Sequence, residues 1–131
     1  MEEEPGTKRR TAKDYLASAE KESCWADAIS ELSKGLEDYP DNAELLGKRG
    51  FYSELNGCYE DAIRDYTDII RLEPETAKSY DNRGSTYYMM KKYDEAIADF
   101  TKALELDPAD TMGMKNVIQK VRLRLPIKRR S

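Results

Sequence analysis

The sequence predicts an all-α chain built as a solenoid of helix-turn-helix repeats, and three observations carry that prediction. Between Ala77 and Pro108 two runs with apolar residues at helical spacing flank a short polar turn. Tyr80, Gly84 and Tyr87 share one face of the first run; Tyr93, Ala96, Ile97, Phe100, Ala103 and Leu104 share one face of the second. That is the three-four spacing of a core-facing stripe. The small residues Gly84 and Ala96 let two antiparallel helices approach closely. The second observation is a period. Pro40, Pro74 and Pro108 recur every 34 residues, and so do Ala28, Ala62 and Ala96, the aromatics Trp25, Tyr59 and Tyr93, the isoleucines Ile29, Ile63 and Ile97, and the trio Leu32, Tyr66 and Phe100. The third is composition. Charged residues make up 37% of the 131, which leaves little aliphatic material for a closed globule. A solenoid accommodates this, because each repeat buries its apolar face only against its neighbours.

Taken in order, residues 1–8 are acidic, interrupted by Pro5-Gly6, and have nothing to bury; a disordered tail is expected there. Repeats follow at about 9–42, 43–76 and 77–110, together with a closing helix forming one domain over 9–125. The first helix is expected from Arg9 to Glu22, with Ala12, Leu16 and Ala19 inward. Leu16 stands in the column of Gly50 and Gly84, so its pairing should be looser. The partner helix, Cys24 to Tyr39, should turn Trp25, Ala28, Ile29, Leu32 and Leu36 inward. Asp41-Asn42-Ala43-Glu44 reads as a capping box, Asn56-Gly57 as the turn within the second repeat, and Pro74 as its stop. Thr76 and Asp110 are placed to cap the third repeat and the final segment. That segment, residues 111–125, sets Met114, Val117, Ile118, Val121 and Leu125 at helical spacing. It would cover the apolar side that a fourth repeat would bury, so the chain reads as finished at that end. Residues 126–131 form a basic tail. Seven helices are expected.

These columns resemble the tetratricopeptide repeat, whose pattern is a small residue early in the first helix, an alanine and an aromatic in the second, and a closing proline. The stretch from Ala77 to Pro108 matches along nearly its whole length, and the period agrees. The resemblance implies a right-handed superhelix whose first helices line a concave groove for an extended peptide or a partner helix. The columns it turns to the groove are Arg10, Lys13, Asp14, Ala17 and Lys21, then Glu44, Gly47, Lys48, Phe51 and Leu55. The third repeat adds Lys78, Asp81, Asn82, Ser85, Tyr88 and Met89, and the last helix adds Met112, Lys115, Asn116, Gln119 and Arg122. The resemblance also implies a way to test for the family's carboxylate clamp, which grips chaperone tails ending in Glu-Glu-Val-Asp. Of the five clamp positions, Lys13 and Lys78 match. Ala17 and Lys48 stand where the family has asparagines, and Asn82 where it has an arginine, so the clamp is incomplete. Asn82 and Asn116 fall in a column where the family uses an amide to hold a peptide backbone; local capping is the other use open to Asn82.

Chemistry other than binding finds little support. The sequence has no histidine, no glycine-rich phosphate loop and no metal-ligand spacing, so neither an enzyme nor a cofactor or metal site is expected. The carboxylates Asp61, Asp65, Asp68, Asp94, Glu95 and Asp99 are expected on solvent-facing columns, balanced by neighbours such as Glu60 with Arg64 and Arg64 with Asp68. Cys24 and Cys58 share one column, about a helix spacing of 8–10 Å apart. That is too far for a disulfide, and both read as reduced apolar fillers. No apolar run approaches the roughly 18 residues of a membrane span, and nothing resembles a signal peptide. The cytoplasm is expected, with the nucleus as the other compartment.

Two features of the groove columns point to a protein partner. They carry Arg10, Lys13, Lys21, Lys48, Lys78, Lys115 and Arg122 against Asp14, Glu20, Glu44, Glu54 and Asp81. The inner face thus leans basic within a chain of net charge −4, which favours an acidic segment. Phe51, Leu55, Tyr88 and Met89 add apolar surface there. Leu55 and Met89 can be absorbed between adjacent first helices, which leaves Phe51 and Tyr88 as contact candidates. The expected function is a non-catalytic interaction adaptor, with a chaperone link through the clamp positions. The alternatives are attachment to nucleic acid or an anionic surface through Lys8-Arg9-Arg10 and Lys128-Arg129-Arg130, or self-association. The acidic body and the shortness of those basic runs argue against nucleic acid.

Overall fold

The computed structural model describes residues 9–110, 117–119 and 121–123. Within them the chain forms six α-helices in three consecutive packed pairs. These are α1 (Ala12–Glu20) with α2 (Trp25–Asp38), α3 (Ala43–Leu55) with α4 (Tyr59–Leu72), and α5 (Ala77–Met89) with α6 (Tyr93–Leu106). A short 3₁₀ turn, Pro108–Asp110, follows, and residues 117–119 and 121–123 are helical. Each pair also packs on the next, α2 on α3 and α4 on α5. This is the all-α solenoid expected from the period. No helix among the described residues is long and apolar enough to cross a membrane. The expectations for the end segments, 1–8 and 126–131, lie outside the described residues, as does most of the closing helix, including the segment whose cap was assigned to Asp110.

Local signals explain most helix ends, with corrections. The first helix starts later than expected, because Thr11 and Asp14 form a reciprocal capping box that satisfies two otherwise unpaired amides. In the second repeat Asn42 alone caps α3, its side chain accepting from Leu45 N at 3.0 Å, and the expected box does not form. Thr76 stands at the N-cap of α5 but caps nothing with its side chain; its hydroxyl lies 3.3 Å from Glu73. Asn56-Gly57 makes the expected turn. Gly57 takes φ 79°, its N–H reaches Glu54 O, and Cys58 N–H reaches Ser53 O, the paired bonds of a Schellman ending. Lys91 repeats that geometry 34 residues later at φ 62°, in a region disfavoured for a side-chain-bearing residue.

Close approach within each pair has a specific cause. A Cβ on Gly50 would stand 2.9 Å from Tyr66 Cε1, and one on Gly84 would stand 2.9 Å from Phe100 Cδ1. The first pair is the most sparsely joined of the three, in line with Leu16. It inverts the arrangement: Gly35 on α2 leaves room for Tyr15 on α1, and a Cβ there would meet Tyr15 Cβ at 2.9 Å. Trp25 is also corrected. It is 45% exposed and lies over Tyr52 of α3 with ring centroids 5.4 Å apart, a surface clasp between pairs. Cys24 and Cys58 are free thiols at the N-caps of α2 and α4, with Cys24 exposed rather than a filler.

The carboxylates divide differently from the expectation. Asp65 and Asp99 are 3% and 5% exposed, not solvent-facing. Arg49 donates two bonds to Asp65, at 2.7 and 2.9 Å, and its other nitrogen reaches Ser33 Oγ at 3.3 Å. Arg83 repeats this with Asp99, both bonds at 2.8 Å, and with Thr67 at 3.2 Å. Each arginine thereby joins its own repeat to the one before. The hydrogen bonds to Asp65 hold Arg49 even more firmly protonated, and burial pushes the Asp65 carboxyl up despite them. In the first repeat Tyr15 occupies the arginine column. Arg10 substitutes from outside the helix, lying 4.1 Å over the Tyr15 ring and pairing with buried Glu31. Arg64 pairs with Asp61 instead of Glu60 or Asp68.

Buried apolar residues form two clusters. One runs from Tyr15 through Leu32, Leu45 and Tyr66 to Ile69. The other joins Ala96, Phe100 and Ala103 to Ile118 and Val121. Between them, at the junction of the second and third pairs, the buried groups include Ser53, Ser79 and Thr86.

Candidate binding groove

A pocket opens at that junction. Toward their C-terminal ends α3 and α5 are tied by the fully buried Thr86 hydroxyl, which bonds to Glu54. Toward their N-terminal ends a groove pocket of about 570 Å³ lies between them. From α3 come Ala43, Glu44, Gly47, Lys48 and Phe51; from α4 come Tyr66 and Ile69; Glu73 and Thr76 from the following turn and the α5 residues Lys78, Ser79 and Asn82 complete the lining. Burial, with the nearby Glu54 and Asp65 charges, pushes the Tyr66 hydroxyl far above its ordinary value, so it stays neutral.

Four of the expected site residues meet here: Lys48, Phe51, Lys78 and Asn82. Phe51 is 45% exposed, its ring 5.8 Å from Tyr52. Lys48 has one loose ion pair, 3.8 Å to Glu20 on α1. Lys78 is exposed, and neither it nor the side chains of Asn82 and Ser85 has a hydrogen bond or ion pair among the described residues. These three follow one another at i, i+4 and i+7 on α5, so they form one strip along that helix. Lys13 is exposed on α1, outside the pocket lining. Tyr88 is half-buried, edge-on to Tyr93 with centroids 5.6 Å apart. Lys115 and Asn116 lie outside the described residues.

Two expectations about this face need correction. Arg10 does not contribute free charge, because Glu31 holds it. Leu55 and Met89 are not absorbed between helices; both remain exposed. The pocket itself carries two lysines and two glutamates, so its signs balance. Sequence reasoning missed Ser79, Ile69, Tyr66 and Glu73 as lining residues. The signal for Ser79 was present in its column, where the preceding repeat has Leu45.

Comparison with known proteins agrees with this architecture. Residues 77–110 match the family model for the tetratricopeptide repeat. The first such domain of Spaghetti (RPAP3), solved bound to the HSP90 peptide SRMEEVD, superposes with a TM-score of 0.77 at 22% identity, covering 92% of this chain and 97% of that one. The Arabidopsis OM64 domain gives 0.74 at 24% identity over 87% and 93%. The second domain of human RPAP3, in complex with the HSP70 peptide SGPTIEEVD, gives 0.73 at 27% identity over 86% and 92%. Among curated proteins none matches this sequence. Residues 77–110 thus match the tetratricopeptide-repeat pattern, and three helix pairs stack as in these domains, so the chain has the tetratricopeptide-repeat fold.

Proposed function

We propose that this chain is a non-catalytic protein-interaction adaptor, taking an extended or helical segment of a partner protein along the groove faces of α3 and α5. The observation that carries the reading is the strip Lys78, Asn82 and Ser85, whose side chains have no partner among the described residues and of which Lys78 and Asn82 line an open pocket beside an exposed Phe51. A monomer gains little from such a strip, whereas a peptide backbone needs both donors and acceptors from its host. The pocket itself is charge-balanced, so any acidic bias in the partner comes from Lys13 outside it, through the rate of encounter. Similar domains solved with HSP90 and HSP70 peptides support a chaperone-linked partner. The incomplete clamp predicts weaker capture here of a terminal carboxylate. The unit that binds is the repeat array over residues 9–125, in the cytoplasm or nucleus.

The test is fluorescence anisotropy of the labelled peptides SRMEEVD and SGPTIEEVD against the full chain. Binding should weaken by about tenfold or more, some 1.4 kcal/mol, in Lys78→Glu and in Asn82→Ala, with helicity by circular dichroism unchanged. Capture that survives both substitutions would place the partner elsewhere.

A further inference from the structure

We infer that the junction of α3, α4 and α5 holds a subsite for one bulky apolar side chain of an extended partner segment; this rests on the groove reading above and specifies what the groove selects. Two small residues keep the space open, and nothing in the fold demands the glycine. Glycine weakens a helix interior relative to alanine, yet Gly47 sits in the middle of α3. A Cβ there would meet only Ile69 Cδ1, at an ordinary 3.7 Å, unlike the 2.9 Å contacts that forbid one at Gly50 and Gly84. Ser79 occupies the column of Leu45, which is wholly buried in the preceding junction.

What these residues leave open is shaped for an uncharged group. The buried Ile69 and Tyr66 line the space together with the half-exposed Phe51 ring. Lys48 and Lys78 are offset by Glu44 and Glu73, so the lining attracts neither sign of charge, and a charged side chain would lose its hydration for no compensating partner. Removing an apolar side chain from water is favourable in itself. The Asn82 amide, which offers both donor and acceptor, completes the site by holding main chain beside the anchor. The occupant is therefore an apolar anchor within an extended segment, and a terminal carboxylate is not required.

The experiment selects a displayed library of random 12-residue peptides on the full chain, then titrates synthetic copies of the enriched peptides. A recurring Leu, Ile, Met, Phe or Trp position is expected, and its change to alanine should cost about tenfold in affinity. Gly47→Leu and Ser79→Leu should each cause a similar loss while preserving helicity. Gly47→Ala should raise the thermal midpoint. If Gly47→Leu fails to fold, Ser79→Leu and the alanine-substituted peptides still decide the question. Enriched peptides without a shared apolar position overturn the subsite. So do peptides that bind both leucine variants like wild type yet lose affinity for Lys78→Glu or Asn82→Ala, which leaves the groove reading standing. An empty selection, or peptides indifferent to all four substitutions, removes both.

Discussion

Leu45 and Ser79 stand in the same column of successive repeats and do opposite things. Leu45 fills the junction between the first and second helix pairs, within one continuous apolar cluster. Ser79 lines the pocket at the junction between the second and third. A second column repeats the contrast. Tyr52 lies beneath Trp25 across the first junction, whereas Thr86 in the next repeat spans the second junction by a hydrogen bond to Glu54. Both junctions carry an arginine bridge, but the first is otherwise packed with apolar surface, while the second adds directed polar contacts beside an opening. In a solenoid each interface is nearly a separate unit of stability, so one can be opened without dissolving the rest. The groove occupies the interface that was left unfilled.

Substitutions can probe this difference, beginning with the largest effect. Leu45→Ala removes a fully buried side chain from the filled junction and should cost about 3 kcal/mol in chemical denaturation. A loss under about 1 kcal/mol would mean that this junction is no better packed than its neighbour. Thr86→Val keeps the shape but deletes the hydroxyl that Glu54 accepts from; about 1–2 kcal/mol should be lost. Hydrogen exchange should then rise first in α5 and α6. Lys91→Gly relieves a left-handed backbone at the position equivalent to Gly57 and should add about 1 kcal/mol. No gain would show that the third repeat does not carry that strain.

Acid gives the smallest effect. The hydrogen bond from Arg10 holds the Glu31 carboxyl below its ordinary value, so this pair's stabilisation is present above the unfolded value and lost as pH falls through the folded one. The loss should stay under about 1 kcal/mol below roughly pH 4, since Arg10 is partly exposed. Glu31→Gln should abolish that component. Asp65 behaves oppositely: burial raises its carboxyl, so protonation favours the folded state there. Acid unfolding monitored repeat by repeat by nuclear magnetic resonance should therefore show the first repeat weakening before the second.

Much of the fold was legible because it follows from repetition. Five columns at a fixed step specify helix pairs, their turns and the small residues at Gly50 and Gly84. Lys48, Phe51, Lys78 and Asn82 line one pocket for the same reason, since a column's face is shared by every repeat. The Arg49–Asp65 and Arg83–Asp99 pairs were also written at the 34-residue step, but ion-pair reasoning along single helices looks only three or four residues away. Trp25 misled because an aromatic at a core-like column can also clasp a neighbouring helix at the surface. The capping box at Thr11 passed unnoticed because Asp14 was assigned to the groove.

By itself, then, the sequence determined the helices and their pairing, since these depend on local periodicity and on side-chain size at close approach. Only the tertiary structure decided which junction stands open and which charges remain free. Those outcomes depend on residues far apart in the chain meeting in one place. Leu45 has a space to fill and Ser79 leaves one; Glu31 captures Arg10, while Lys78 has no partner among the described residues.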